Sequence, residues 1–214
     1  MALRLKDYEN GVKEYWKIID SRSSRVRDVE RAFPHFATTF ATCQPPHFNR
    51  ADLEQIIEWK HSADGRRCSA ALSGLRDFPD NRNIGLTANI GDDIARSMKP
   101  LFCQRRFAGE VSGIGVATVS AILTAARPDL FAVIDTFALT AIYHHYNFPW
   151  LYKLSRDEKH KLIADWNAYP PYVGFCRAEA AKLTMASKDH PWTPRQIDIA
   201  LWGIGKKLTD NGLA

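Results

Sequence analysis

The sequence has few cysteines, and no two of them stand at the spacing of a metal or redox motif. The four are Cys43, Cys68, Cys103 and Cys176. They are too far apart for a Cys-x-x-Cys pair, which excludes the usual zinc and thiol–disulfide signatures. The neighbouring His144 and His145 lack a third ligand at metal spacing, so a surface pair is the simpler interpretation. We therefore expect no metal site and free thiols in a reducing compartment.

Long apolar runs are also missing. None is long enough to span a membrane, and the N-terminal residues lack the apolar core of a signal peptide. We expect a cytoplasmic or nuclear protein with no membrane partner. Alternation of apolar and polar residues is weak, which disfavours β-strands. Apolar residues recur instead at helical spacing, and we predict an all-α fold.

Caps and prolines bound the predicted helices. Asn49, Asp135 and Thr193 are suited by residue type to be N-caps. Residues 203–206 (GIGK) could form a glycine hairpin, but no paired helix follows, so we interpret them as the tail of a helix. The predicted helices are residues 1–20, 29–42 (broken near Pro34), 51–61, 68–75, 92–98, 101–110, 116–126, 136–146, 155–168, 172–185 and 194–208, with a basic connector at 21–27 and a break at 170–171.

Charge of one sign is in modest excess. The formal net charge is +5 and the sequence pI is about 9.0, in a composition of 45% apolar and 25% charged residues that is ordinary for a globular protein. A basic chain suits an anionic partner such as nucleic acid. Many basic proteins bind nothing acidic, however, so charge alone does not select that partner.

The stretch at residues 111–135 is the most informative. Gly113 and Gly115 bracket a turn, and we expect both to adopt backbone angles that a Cβ would oppose. The amides of residues 113–118 lie at the positive end of the helix that follows, where a phosphate can bind without a basic side chain. Only Arg127, Asp129 and Asp135 are charged in this stretch. If it binds DNA, it must therefore use its backbone.

This layout resembles the helix-hairpin-helix (HhH-GPD) DNA glycosylase superfamily, which includes endonuclease III and the adenine, 8-oxoguanine and 3-methyladenine glycosylases. Gly113, Ile114 and Gly115 match the family hairpin, and Asp135 falls at the position of its invariant aspartate. Gly-x-Gly alone is a weak signal, but a hairpin, an alanine-rich helix and an aspartate in register are a stronger one. The resemblance implies a two-lobe helical fold. The central lobe is residues 36–135, with the hairpin module at about 101–126, and residues 1–35 plus 136–214 form the second lobe.

Two departures from the family pattern narrow the implied activity. Bifunctional members carry a lysine nucleophile two residues after the second glycine, and this chain has Ala117 there, which cannot form a Schiff base. Many members also hold an iron–sulfur cluster on four cysteines near the C-terminus, where this chain has only Cys176. The resemblance therefore implies a monofunctional glycosylase without a cluster. A monovalent cation at the hairpin is the one ion it allows.

The resemblance also suggests roles for residues. Asp135 would be the catalytic carboxylate, facing a base flipped into a pocket between the lobes of a monomer bound to double-stranded DNA. The candidate DNA contacts are Gly113, Ile114, Gly115, Ala117, Thr118, Lys60 and Arg66. The candidate walls of the base pocket are Trp59, Trp150, Tyr172 and Trp192. Each has a simpler alternative: Asp135 as a helix cap, Lys60 as a helix-end cation, and the aromatic residues as core.

Three functions remain open at this point. The first is a base-excision repair-type DNA glycosylase that hydrolyses the N-glycosidic bond of a damaged base. The second is a non-catalytic helix-hairpin-helix DNA-binding protein derived from a glycosylase. The third is a protein-interaction role on the same fold, favoured by the modest net charge. The sequence does not select the damaged base, the repair pathway or a protein partner.

Overall fold

The computed structural model describes residues 2–42, 48–62, 64–76, 115–146, 168–187 and 190–213. The helices in these ranges are α1 Leu5–Asp20, α2 Ser24–Arg31, α3 Phe33–Thr42, α4 Arg50–Lys60, α5 Gly65–Arg76, α6 Val116–Ala126, α7 Thr136–His145, α8 Tyr169–Ala186 and α9 Pro194–Asp210. No strand occurs among these residues, so the prediction of an all-α chain is confirmed for them. The predicted helices at 92–98, 101–110 and 155–168 lie outside the described ranges, apart from residue 168.

The chain divides into two compact units. The first unit is Met1–Arg22 with Asp129–Ala214, and the second is Ser23–Pro128. The lobes predicted from the sequence had their boundaries at 35/36 and 135/136. The observed division therefore assigns residues 23–35 to the second unit and residues 129–135, including Asp135, to the first.

The first unit is built around α9. This helix packs against α1, α7 and α8, and most of its residues through Gly205 are buried. It begins with the predicted capping box, in which the Thr193 hydroxyl accepts from the Gln196 amide at 3.2 Å and the Gln196 side chain accepts from the Thr193 amide at 2.8 Å. The helix continues through residues 203–206, so the interpretation of that stretch as helix rather than hairpin is confirmed.

Glycines set the spacing of the helices around α9. A Cβ at Gly203 would overlap the carbonyl oxygen of Gly11 in α1, and one at Gly205 would overlap the carbonyl oxygen of Phe137 in α7. Because main-chain atoms of a neighbouring helix occupy that space, no side-chain rotation could relieve the overlap. These glycines are therefore needed for close approach of helices, and α9 lies directly against the first turn of α7.

The second unit is organised around α6. Ten of the eleven residues of this helix are buried, and it packs against α3 and α4. Aromatic rings fill the space beside it: Phe33 meets Phe36 and Trp59 edge-on, and Phe48 packs on Phe36 and Phe40. A helix that is apolar on all sides needs such surroundings, which explains why the run of small and apolar residues at 116–126 is central to this unit.

Two boundaries differ from the sequence predictions. The basic connector expected at residues 21–27 is mostly helical, because α2 begins at Ser24 and ends at Arg31, with Ala32 separating it from α3. The expected break at 170–171 is instead the start of α8, with its prolines in the first turn. The amides of a first turn have no intrahelical acceptor, so proline costs nothing there.

Candidate functional site

Among the described residues, the N-terminus of α6 is open at Gly115. This residue has φ −101° and ψ −174°, an extended conformation that any residue can adopt, and a Cβ added to it would meet none of their atoms within 4 Å. The expectation that Gly115 requires glycine-only backbone angles is therefore wrong. What glycine provides here is space in front of the helix. Gly113 and Ile114, the other two hairpin residues, lie outside the described ranges.

The amides at this end of α6 are only partly used by the helix. The Thr118 and Val119 amides both donate to the Gly115 carbonyl at 3.0 Å. The prediction that the Thr118 amide would be available to a phosphate is therefore wrong. The amides of Val116 and Ala117 stand one turn too early to have an acceptor within the helix. These two groups, at the positive end of the helix dipole, are the backbone donors that an anion could use.

A histidine connects α4 to this turn. His61, which directly follows α4, forms a 2.9 Å hydrogen bond between its Nε2 and the Thr118 hydroxyl. Thr118 is buried, so its side chain serves this contact rather than the DNA contact predicted for it. Burial, and then the positive charges of Lys60 and Arg67, lower the pKa of His61 to about 4. The imidazole is therefore neutral at pH 7.

Two cations lie near His61, and therefore near the start of α6. Lys60 and Arg67 are close enough to His61 for their charges to lower its pKa. Arg67 also forms a 3.3 Å ion pair with Asp64, whereas the predicted contact residue Arg66 is exposed and its amide donates to Asp64 at 3.1 Å. The sequence indicated Lys60, Arg66 and Arg67 as cations of this region, with Lys60 and Arg66 as DNA contacts, but it did not indicate His61. The position of His61 next to Lys60 was the only signal for it.

The neutral state of His61 predicts a pH dependence of stability. The unfolded chain protonates this imidazole near its ordinary pKa of 6.5, while the folded protein does so near a pKa of about 4. Between these values the unfolded state binds more protons, so the free energy of unfolding falls as the pH is lowered. The variant His61→Gln keeps a hydrogen-bonding group for Thr118. As the pH is lowered, we expect its free energy of unfolding to fall by about 1–2 kcal/mol less than that of the parent.

Urea unfolding of both proteins at pH 7 and pH 4.5 would measure this difference. His144→Gln, at an exposed histidine of α7, is the matched control and should keep the pH dependence of the parent. Equal losses of stability in the parent and in His61→Gln would contradict the assignment of a neutral, buried imidazole.

Trp59 lines a small cavity in the second unit. The cavity has a volume of about 250 Å³, and the paired Arg25 and Glu58, together with His61 and Cys68, also line it. Pockets for drug-sized ligands usually exceed about 300 Å³, and this cavity is smaller than that. The role predicted for Trp59 as a wall of a base pocket remains a prediction.

In the first unit, Asp135 begins α7. Its Oδ1 accepts a hydrogen bond from the Phe137 amide at 3.0 Å, so the prediction that it is an N-cap is confirmed. The residue is half-buried, and a carboxylate at a helix N-terminus is stabilised by the helix dipole. The cap fixes the side chain at one place in the unit.

The segment that leads to Asp135, residues 130–135, is here called the acidic strap. Residues 131–134 are buried although they form neither helix nor strand, so their backbone groups need partners from elsewhere. Side chains of α8 and α9 supply them. The bonds are Arg177 Nε to Leu130 O at 2.8 Å, Tyr169 Oη to Ala132 O at 3.1 Å, Tyr172 Oη to Val133 O at 3.0 Å, and Val133 N to Asp198 Oδ2 at 2.7 Å.

The first unit contains two further candidates for walls of the base pocket, Tyr172 and Trp192. Tyr172 is fully buried and its hydroxyl serves the acidic strap, which argues against a role as a pocket wall. Trp192 is partly exposed and meets Tyr8 edge-on at 6.2 Å. Trp150 lies outside the described ranges. The structure thus brings Tyr172 to the acidic strap, and Lys60 to the start of α6.

Within the described ranges, no group of three or more metal-binding side chains comes together, and no helix is both long and apolar enough to cross a membrane. The chain matches no known protein-family profile, no curated protein and no solved structure.

Proposed function

We propose that this chain is a monofunctional DNA glycosylase that hydrolyses the N-glycosidic bond of a damaged base, with Asp135 as its catalytic carboxylate. The observation that carries the proposal is the way Asp135 is held. It is a half-buried carboxylate, capped onto the start of α7, at the end of a strap whose backbone is bound by buried side chains. When positive charge develops on a sugar, a carboxylate that is already held in place can stabilise this charge without having to move.

In the proposed reaction, Asp135 stabilises the charge on the sugar and activates a water molecule. The bond between C1′ of the deoxyribose and the base nitrogen breaks, and its electron pair leaves with the base. Positive charge then develops on the sugar, where a nearby carboxylate stabilises it. A water molecule adds its oxygen to C1′, and Asp135 can orient this water, accept its proton and pass it to solvent, while the released base takes up a proton from solvent. The base must first leave the DNA stack, which costs a few kcal/mol and favours bases that pair poorly.

Binding of the DNA strand would use the start of α6. The open space at Gly115 leaves room for a phosphate to reach the amides of Val116 and Ala117. Lys60 and Arg67 add positive charge nearby, as their effect on His61 indicates. Ala117 offers no amine, so no covalent imine can form at that position. This is the reason to propose hydrolysis rather than combined excision and strand cleavage.

One observation favours a second candidate, a non-catalytic DNA-binding protein. The hydrogen bond from the Phe137 amide accounts for an aspartate at position 135 without any chemistry, because aspartate is among the best N-cap residues. In that case the start of α6 would still bind duplex DNA, and no base would be released.

A release assay separates the two candidates. Duplexes that each contain one alkylated, oxidised, deaminated or mismatched base are incubated with excess protein, and free base is measured under single-turnover conditions. Binding to the same duplexes is measured over a salt series, because phosphate contacts make affinity salt-dependent. Base release supports the glycosylase, and salt-dependent binding without release from any duplex supports the second candidate. Absence of both would contradict a role on DNA.

A substitution at Gly115 tests the proposed phosphate site. Gly115→Val places a branched side chain in the open space before the Val116 and Ala117 amides, and the extended backbone at this position accepts valine. We expect the dissociation constant for duplex DNA to rise about tenfold or more, through loss of charge-assisted hydrogen bonds. Fluorescence anisotropy with a labelled duplex at low salt would measure it.

The matched control is Gly174→Val, at an exposed glycine of α8 whose Cβ would also meet no atom of the described residues within 4 Å. It should bind DNA like the parent. Unchanged affinity in a folded Gly115→Val protein would contradict the phosphate site.

A further inference from the structure

The Val133 peptide is held on both of its polar atoms by side chains from two different helices. Its amide donates to Asp198 of α9 at 2.7 Å, and its carbonyl accepts from Tyr172 of α8 at 3.0 Å. Both side chains are buried, so water does not compete for these bonds. Val133 is two residues before Asp135, and its position therefore limits where the Asp135 carboxylate can be.

The partner on the amide side is itself fixed. Asp198 accepts a 2.6 Å bond from Arg195, one turn earlier in α9, and both side chains are almost fully buried. Arg195 in turn donates to the Tyr15 hydroxyl of α1 at 3.3 Å. A buried carboxylate that is satisfied on both oxygens has one orientation, and the Val133 amide is held accordingly.

The partner on the carbonyl side, Tyr172, acts only as a donor towards the strap. Burial, followed by the charges of Cys176 and Asp198, raises the pKa of this phenol well above its ordinary value, and the charge of Asp135 adds to the shift. The phenol is therefore protonated at pH 7. The contribution from Asp135 also indicates that its carboxylate and the Tyr172 hydroxyl are close to each other.

We propose that Tyr172 is a positioning residue, which together with Asp198 fixes the Val133 peptide so that the Asp135 carboxylate is presented in a single place. This rests on the proposed function, because positioning matters only if Asp135 acts on a substrate. Tyr172 does not touch the reacting atoms and acts through the main chain of the strap. Displacements of about 1 Å at a catalytic group can slow a reaction up to 100-fold, so loss of one of these bonds should be visible in the rate.

The test is Tyr172→Phe, which removes one hydroxyl and leaves the ring. We expect single-turnover base release, from a duplex that the parent protein cleaves, to slow about tenfold. The dissociation constant for that duplex should stay within about twofold of the parent, since Tyr172 makes no contact with DNA. Hydrogen exchange of the peptide that covers residues 130–137 should become faster, because the strap has lost a bond.

Tyr8→Phe is the matched control. Tyr8 is also fully buried in the first unit, and its hydroxyl bonds to Tyr146 at 2.9 Å and to Glu179 at 3.0 Å rather than to the strap. Its removal should shift the urea midpoint by an amount comparable to that of Tyr172→Phe, without changing base release. A purely structural role for Tyr172 would predict the same release rate in both folded variants.

The outcomes separate this inference from the proposed function. Base release by the parent and an equal rate in folded Tyr172→Phe would overturn the inference alone. No release by the parent from any duplex would overturn the proposed function and the inference with it. If Tyr172→Phe fails to fold, Asp198→Ala removes the other bond to the Val133 peptide, and a parental release rate in that folded variant would overturn the inference.

Discussion

Asp135→Asn is expected to slow base release by about 100-fold to 10,000-fold while the protein stays as stable as the parent. Asparagine is as good an N-cap as aspartate, and its side-chain oxygen can still accept from the Phe137 amide. The substitution therefore removes the negative charge and the proton acceptor but keeps the first turn of α7. Single-turnover release and urea unfolding, measured on the same preparation, would give both quantities.

Asp135→Ala serves as the comparison. It removes the charge and the cap together, so it should show the same loss of rate and an additional loss of stability of about 0.5–2 kcal/mol. A folded Asp135→Asn protein that releases base at the parental rate would contradict the catalytic role. A DNA adduct trapped on the parent by borohydride would contradict the hydrolytic mechanism and indicate an amine nucleophile such as Lys60.

Gly205→Ala should lower the free energy of unfolding by about 3 kcal/mol, a large effect for a single methyl group. A Cβ on Gly205 would overlap the carbonyl oxygen of Phe137, and that oxygen belongs to the first turn of α7 rather than to a movable side chain. To make room, α7 and α9 must separate, which loses packing over the centre of the first unit. Urea unfolding followed by far-UV circular dichroism would measure the change.

Gly174→Ala is the internal standard for this prediction. Gly174 is a helical glycine of α8 whose Cβ would meet no atom within 4 Å in the part of the chain that the structure describes. Alanine should therefore stabilise the protein by about 0.5–1 kcal/mol through better helix propensity. Opposite signs at the two glycines would be the expected result. Equal stability of Gly205→Ala and the parent would show that α7 and α9 do not approach as closely as described.

Local features were predicted well from the sequence. The bounds of α6 follow from a small, apolar run between a glycine and the Arg127–Pro128 pair, and they agree with the structure. The caps at Asn49, Asp135 and Thr193 were also predicted, because a capping side chain acts on an amide two or three residues away. Such signals lie within one turn of sequence and need no knowledge of the fold.

Local composition misled the prediction in two places. The basic, serine-containing stretch after α1 was expected to be a connector, yet α2 covers most of it, since arginine, valine and glutamate tolerate a helix when one face is buried. The prolines at 170 and 171 were expected to end a helix and instead begin one. Proline has opposite meanings at the two ends of a helix, and the sequence alone did not indicate which end this was.

The surroundings of Asp135 could not be predicted. Tyr169, Tyr172 and Asp198 bind the acidic strap across 37, 39 and 65 residues of chain, respectively. No spacing rule links a loop carbonyl to a phenol so far away, and Tyr172 was assigned to a base pocket because buried and pocket-lining aromatics look alike in sequence. The close approach of Gly205 to the carbonyl oxygen of Phe137 was not predicted either, because it depends on how two helices distant in sequence cross.

The discontinuous make-up of the first unit has a consequence during synthesis. Its first helix leaves the ribosome well before the residues of α9 that Gly11 approaches, because the whole second unit lies between them in the chain. At a synthesis rate of about 5–20 residues per second, α1 is without α9 for roughly 10–40 seconds, and Tyr8 and Tyr15 are uncovered during that time. The second unit is continuous in the chain and can fold meanwhile. A nascent chain stalled before α9 should therefore bind chaperones through α1, and release them once α9 has been made.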